Sequence, residues 1–163
     1  MKKNWPFIII TGFGISATLI FLYFFVYGMA VNTVRSTILL EKAYPNTKPE
    51  EYINELIAKA EKNELKIIGI KKEEKYYIIQ LVNDNILEKT ASLSPKFTPL
   101  SVVTVVIYDL RNGTGIVGNN PYIWDIISPD SYIDDIAENF SNQLSDIFDS
   151  IYWEIKKKKE KLN

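Results

Sequence analysis

The chain has 163 residues, 19 basic against 20 acidic, a net charge of −1, and neither histidine nor cysteine. That composition excludes thiol nucleophiles, disulfide exchange, thiolate metal sites, serine-histidine triads and histidine-bound zinc, iron or haem, so no metal and no cofactor is expected. No broad basic face emerges either, which argues against nucleic acid as a partner.

The first element is read from residues 5–31. No charged residue falls between Lys3 and Arg35. About 20 apolar residues span the hydrocarbon core as a helix, and this run is longer, so it spans with tilt. No polar stripe breaks the run at helical period, as a core helix of a soluble domain would require. Trp5, Tyr23 and Tyr27 lie towards its ends, where amphipathic rings favour the interface. Lys2 and Lys3 with the small-x-small triplet Gly28-Met29-Ala30 also fit a signal peptide cleaved after Ala30. A signal h-region has about 7–15 residues, shorter than this run. The expected division is a short tail over 1–4, a transmembrane anchor over 5–31, an α+β domain over 36–158 and a basic tail over 159–163. The cations Lys2 and Lys3 precede the anchor, while Arg35, Lys42 and Lys48 follow it at greater distance. The positive-inside rule then puts the N-terminus in the cytoplasm and the domain on the extracytoplasmic side of a single-pass membrane protein.

Beyond the anchor, about 130 residues suffice for one domain with a core. Residues 36–44 read as a strand with Ile38 and Leu39 as its apolar part. Thr47-Lys48-Pro49-Glu50 reads as a capping box opening a helix, with Ile53, Leu56, Ile57 and Ala60 on its buried face and Asn63 at its end. Residues 65–70 form a short strand, 71–75 a charged turn and 76–82 (YYIIQLV) a strand rich in β-formers. Residues 83–93 read as a second helix with Ile86, Leu87 and Ala91 inward, closed by Ser94 and Pro95. Residues 102–108 (VVTVVIY) are almost continuously β-branched, which predicts a central strand covered on both faces. Arg111-Asn112-Gly113 reads as a hairpin with positive φ at Asn and Gly, and residues 114–117 return antiparallel until Asn119-Asn120-Pro121. Ser128-Pro129-Asp130 then reads as the start of a long last helix. Its apolar positions are Ile133, Ile136, Ala137, Phe140, Leu144, Ile147, Phe148, Ile151 and Ile155. From Asp109 to Glu154 Arg111 stands as the single base among nine acids, after which Lys156, Lys157, Lys158, Lys159 and Lys161 follow. Helix-end charge preference accounts for that order without any functional role.

The expected fold class is α+β: an N-terminal transmembrane helix, then one antiparallel or mixed sheet with helices packed on one face and a long C-terminal helix. The order and spacing of YYIIQLVNDNILEKTASLSPKF, TPLSVVTVVIYD and NGTGIVGNNP resemble the bacterial family known as domain of unknown function number 302, over about residues 36–122. That family often has Cys-Asn-Pro before the second helix and Pro-Cys before the central strand. Here the positions read Val82-Asn83-Asp84 and Pro99-Leu100, so Asn83 and Pro99 persist without the cysteines. The resemblance implies a compact α+β fold that often pairs as a dimer, and no established reaction.

Three groupings carry candidate chemistry. Asn83, Asp84 and Asn85 stand at a strand-to-helix junction, where amides and a helix N-terminus can meet an anion; a plain helix cap is the structural alternative. Asn120, Tyr122 and Trp124 belong to a polar-aromatic loop that could hold a small ligand, or that simply covers the core edge. Asp109 and Asp125 could form a carboxylate pair of the kind glycoside hydrolysis needs, although nothing in the sequence brings them together. The ligand-binding candidates are therefore Asn83, Asn85, Asn120, Tyr122 and Trp124, with no catalytic residue assigned. The expected function is a membrane-anchored, non-enzymatic domain that binds a small molecule or a partner protein at the membrane surface. The alternatives are a metal-free enzyme using carboxylates, tyrosines or lysines, and a structural accessory subunit of a membrane complex. Expected partners are membrane lipid along residues 5–31 and a second protomer or membrane-complex subunit along the C-terminal helix. On that helix a stripe around Phe148, Ile151, Tyr152 and Ile155 is expected to outrun the small domain.

Overall fold

Residues 5–38 have no acid and no glycine or proline pattern that would stop a helix in an apolar medium, and they form one. The computed structural model describes residues 4–161, so the lysines at 2 and 3 and the last two residues of the basic tail lie outside the described residues. Helix α1 covers Trp5–Ile38. It is the one helix among the described residues that is long and apolar enough to cross a membrane. Its side chains are exposed all round, with Thr37 alone buried. Thr18 turns its hydroxyl back to the Gly14 carbonyl (2.9 Å), the way a polar side chain is satisfied without water.

The chain divides into two compact units between Arg35 and Ser36. The second unit contains strands β1 (Leu39–Pro45), β2 (Lys66–Lys72), β3 (Tyr76–Val82), β4 (Val102–Leu110) and β5 (Gly113–Asn119). Its helices are α2 (Pro49–Ala60), α3 (Asp84–Leu93), α4 (Ile123–Ile127) and α5 (Ser131–Glu160). The sheet order is β1-β5-β4-β3-β2, and every pairing is antiparallel. This is the expected α+β class, with the β-branched strand β4 at the centre.

Strand β4 alternates. Val103, Val105 and Ile107 are fully buried, whereas Val102, Thr104, Val106 and Tyr108 are only partly so. The expectation that both faces are covered is corrected: α2 and α5 cover one face, and the β-branched run reflects strand propensity as well as burial. On the other face the Tyr108 ring lies across Gly115, where a Cβ would come within 2.4 Å of it.

Local starts and stops also differ from the reading of the sequence. The first strand begins at Leu39, because α1 continues through Ile38. Helix α2 is capped one residue later than expected: the Lys48 N–H donates to Glu51 (3.3 Å), while the Thr47 hydroxyl bonds the Pro45 carbonyl (3.1 Å). On its buried face Tyr52 joins Ile53, Leu56 and Ala60, and Ile57 is exposed. In α3, Ile86 and Thr90 point inward; Ala91 faces solvent. The last helix is capped by Asp130, whose carboxylate accepts from the Tyr132 N–H (3.0 Å), and the short α4 precedes it. The β4–β5 hairpin pairs Leu110 with Gly113, and neither Asn112 nor Gly113 has a positive φ. Gly113 is required by space instead: a Cβ there would meet the Tyr44 carbonyl oxygen at 2.3 Å.

Helix α5 lies over the sheet through its whole apolar stripe. Phe148, Ile151 and Ile155 are buried and Tyr152 is half-buried within the chain, so the stripe expected to outrun the domain is covered. Helix α2 supplies the cover. Tyr44 is stacked between Tyr52 and Tyr152, with ring centroids 5.4 and 5.0 Å away. The Tyr52 hydroxyl donates to the Phe148 carbonyl (2.8 Å). Asp149 accepts from the Tyr44 hydroxyl and the Lys42 ammonium, both at 2.8 Å. Burial and then the Asp149 carboxylate push the Tyr44 hydroxyl far above its ordinary pKa, so it stays a donor. Along the α2–α5 seam, Lys59 pairs with Glu154, Glu55 with Lys158, and Glu51 with Lys159 (2.6 Å).

Candidate functional site

Strand β3 ends at Val82, and the chain turns at Asn83 into α3. Asn83 is the N-cap: its Oδ1 accepts from the Ile86 N–H at 3.1 Å, and its own N–H bonds the Ser101 carbonyl (3.1 Å). The side chain is 1% exposed. Its Nδ2, which carries two N–H donors, has no acceptor among the described residues. That nitrogen is not sealed off; it opens to a groove of about 330 Å³. A cap uses one end of this amide and leaves the other to whatever enters the groove.

The groove runs between α3 and α5. Ile86, Ile136 and Phe140 form its apolar floor, and Asn85, Lys89, Asn139, Gln143 and Glu64 its polar walls. Two of the α5 amides have their nitrogens already used: Asn139 Nδ2 donates to the Asp135 carbonyl (2.7 Å) and Gln143 Nε2 to the Asn63 carbonyl (3.4 Å). Their oxygens are left as acceptors. Glu64 closes the turn after α2 in a left-handed conformation, φ 61°. Neither Glu64 nor Lys89 has an ion-pair partner among the described residues. Asn85 stands in the first turn of α3, where N–H groups precede any intrahelical acceptor.

The five residues singled out from the sequence do not meet in one site. Asn83 and Asn85 line the groove; Asn120, Tyr122 and Trp124 do not. Asn120 is 6% exposed and fully engaged. It donates to the Ser36 carbonyl (3.0 Å) and accepts from the Tyr122 N–H (3.1 Å) and the Ser141 hydroxyl (2.7 Å), while its N–H bonds the Ile38 carbonyl (2.8 Å). Trp124 packs edge-on against Phe97, centroids 6.2 Å apart. The Asp125 carboxylate beside the Tyr122 hydroxyl raises its pKa. These three therefore tie β5 and α4 to the core. Asp109 pairs with Thr114 near the start of β5, and Asp125 follows its far end. About six residues of strand, roughly 20 Å at 3.3 Å per residue, separate the two levels, too far for the paired carboxylates of a glycosidase.

A second groove, of about 470 Å³, lies between the α2 start and the β2–β3 turn, lined by Lys48, Glu50, Lys72, Glu73, Tyr77 and Asp109 among others. Several of its polar groups are already engaged: Tyr77 donates to Glu50 (3.1 Å), Lys72 sits 5.3 Å over the Tyr77 ring, and Glu73 pairs with Lys71 (2.8 Å). The α3–α5 groove differs in being lined by Asn83, whose Nδ2 donors have no protein acceptor among the described residues.

Lys89, Glu64, Asn139 and Gln143 were not singled out from the sequence. For the last two a signal existed: amides four apart on α5, flanking Phe140, share the rim of an otherwise apolar stripe. Glu64 and Lys89 look like ordinary solvated charges until the fold brings them to one groove.

No protein-family model matches the sequence, and no curated protein matches it either. Among solved structures, the crystal structure of an uncharacterized conserved DUF302 protein from Bacillus stearothermophilus aligns with 69% of this chain and 96% of its own, at a TM-score of 0.59 and 13% identity. At that identity the likeness is one of fold. In fold, then, this chain is similar to a DUF302 protein, and the resemblance carried by the order of its elements holds at that level.

Proposed function

We propose that this chain is a membrane-anchored, non-enzymatic binding domain that takes up a small molecule in the groove between α3 and α5. In this reading α1 crosses the membrane with the N-terminus in the cytoplasm, and the domain stands on the extracytoplasmic side. The observation that carries the reading is the Asn83 amide: 1% exposed, half used as a helix cap, and unmatched where it opens to the groove. A ligand acceptor would meet that donor in place of the water the groove admits. The absence of histidine and cysteine leaves no ordinary neutral-pH base or thiol nucleophile beside it, in keeping with binding over catalysis.

A second reading is a subunit of a membrane complex. The partly exposed sheet face with Ile78, Val102, Val106, Tyr108 and Val117 favours it, since apolar faces of this kind attract partners.

The chain has no cysteine, so Asn85→Cys provides a single reporter. In intact cells that thiol should react with a membrane-impermeant maleimide; labelling only after lysis would place the domain inside. A fluorophore at the same position should respond saturably to at least one class in a panel of sugars, nucleotides, dicarboxylates and amino acids. A fluorophore at Ala91, which faces solvent and does not line the groove, should not. If neither position responds to any class, the groove is not a binding site.

A further inference from the structure

The α3–α5 groove is electrically polarised, and this inference rests on its being the binding site. The α3 side presents donors: Asn83 Nδ2, the free first-turn N–H of Asn85, and the Lys89 ammonium. The α5 side and the turn after α2 present acceptors: Asn139 Oδ1 and Gln143 Oε1, whose amide nitrogens are already bonded, and the Glu64 carboxylate. Lys89 and Glu64 both line the groove without ion-pair partners of their own among the described residues.

We infer that the groove binds a small zwitterion, a free α-amino acid, with its carboxylate against Asn83, Asn85 and Lys89 and its ammonium against Glu64, Asn139 and Gln143. A simple anion answers only half of this arrangement. A phosphate dianion would face Glu64 across the groove and Asp84 beside it at the start of α3. An amine alone leaves the Asn83 donor unmatched. A zwitterion satisfies both walls, with no net charge to bring between Lys89 and Glu64. The apolar floor of Ile86, Ile136 and Phe140 would then receive an aliphatic side chain. A groove of about 330 Å³ lies at the small end of ligand sites, as a single amino acid requires.

The Asn83→Asp substitution isolates the donor. Aspartate caps as well as asparagine, so Ile86 keeps its partner, but the two N–H donors become a carboxylate oxygen. The full chain in lipid nanodiscs is titrated calorimetrically with each of the twenty common amino acids, and with acetate and butylamine as the separate halves of the zwitterion. At least one amino acid with an aliphatic side chain should bind, and neither half should match it. Asn83→Asp should weaken binding about 10- to 150-fold, the range for a hydrogen bond to a charged group. Lys89→Gln, on an exposed helix face, should weaken it up to about fivefold with the fold untouched. The inference is overturned if no amino acid binds, if acetate or butylamine binds as well as the best amino acid, or if both variants bind like the natural chain. Should the Asn85 fluorophore respond to an uncharged sugar while no amino acid binds, the groove remains a binding site and the zwitterion is wrong.

Discussion

Two long helices, α1 of Trp5–Ile38 and α5 of Ser131–Glu160, dominate this chain and carry their apolar residues in opposite ways. Helix α5 is amphipathic: eight apolar residues from Ile133 to Ile155 are buried against the domain, and its other face is mostly polar and charged. Helix α1 is apolar all round, and its large side chains, among them Phe7, Phe13, Phe21 and Phe24, are exposed. In water that would be a large unmatched apolar surface; in a bilayer it is the ordinary state of a helix whose backbone is satisfied internally. The pair teaches that helix length says little about the medium. What matters is whether the apolar positions form a stripe, which needs cover on one side, or a full cylinder, which needs an apolar surrounding on every side.

The strongest way to sharpen that contrast is to remove one ring from each helix. Phe148→Ala, at a fully buried position between α2 and the sheet, should cost about 3–5 kcal/mol of domain stability. Phe21→Ala in α1 should leave the domain's unfolding within about 0.5 kcal/mol of the natural chain. Urea unfolding of the full chain in micelles, followed by near-ultraviolet circular dichroism, reads both. Equal losses would mean that α1 is part of the domain's core.

A charge tests the other helix. Leu19→Arg places a cation in the middle of the apolar run and should oppose insertion by about 2.5–3.5 kcal/mol. The protein should shift from the carbonate-resistant membrane fraction towards the soluble one, while the domain's thermal midpoint stays where it was. Unchanged membrane retention would show that something other than α1 holds the protein there.

The smallest effect lies on the α2–α5 seam. Lys59 beside Glu154, and Lys159 beside Glu51, hold both glutamates below the ordinary range. Their folded pKa values are lower than the unfolded ones, so the stabilisation is present above the unfolded value of about 4.3 and is lost as pH falls through the folded values. Glu154→Gln should therefore cost about 0.2–1 kcal/mol at pH 7 and nothing near pH 2. Asp134 near the start of α5 works the other way. Its Oδ1 is shielded and without a hydrogen-bond partner, and desolvation, then Asp125, Asp130 and Asp135, raise its pKa. Asp134→Asn should raise the thermal midpoint at pH 7, a gain that disappears below the ordinary aspartate value of about 3.9. A midpoint that falls at pH 7 would contradict the sign.

Residue order alone determined the apolar cylinder of α1, the alternation of strands and helices from β1 to α5, and the cap at Asn83. Each of these is local: hydropathy over one run, periodicity within one element, or a side chain reaching a backbone three residues on. Tertiary structure decided what local pattern cannot encode. Tyr52 turns inward beside Phe148, and α2 covers the end of the α5 stripe, because two helices share one sheet face. One face of β4 stays only partly covered, since α2 and α5 both pack on the other, although its β-branched run reads the same on both sides. The candidate groove was half legible: Asn83 and Asn85 announce themselves as junction amides, whereas Lys89 lies further along α3 and Glu64, Asn139 and Gln143 come from two other stretches of chain. Only the docking of α3 beside α5 sets donors against acceptors there, and that arrangement is fixed by packing over the apolar floor of Ile86, Ile136 and Phe140.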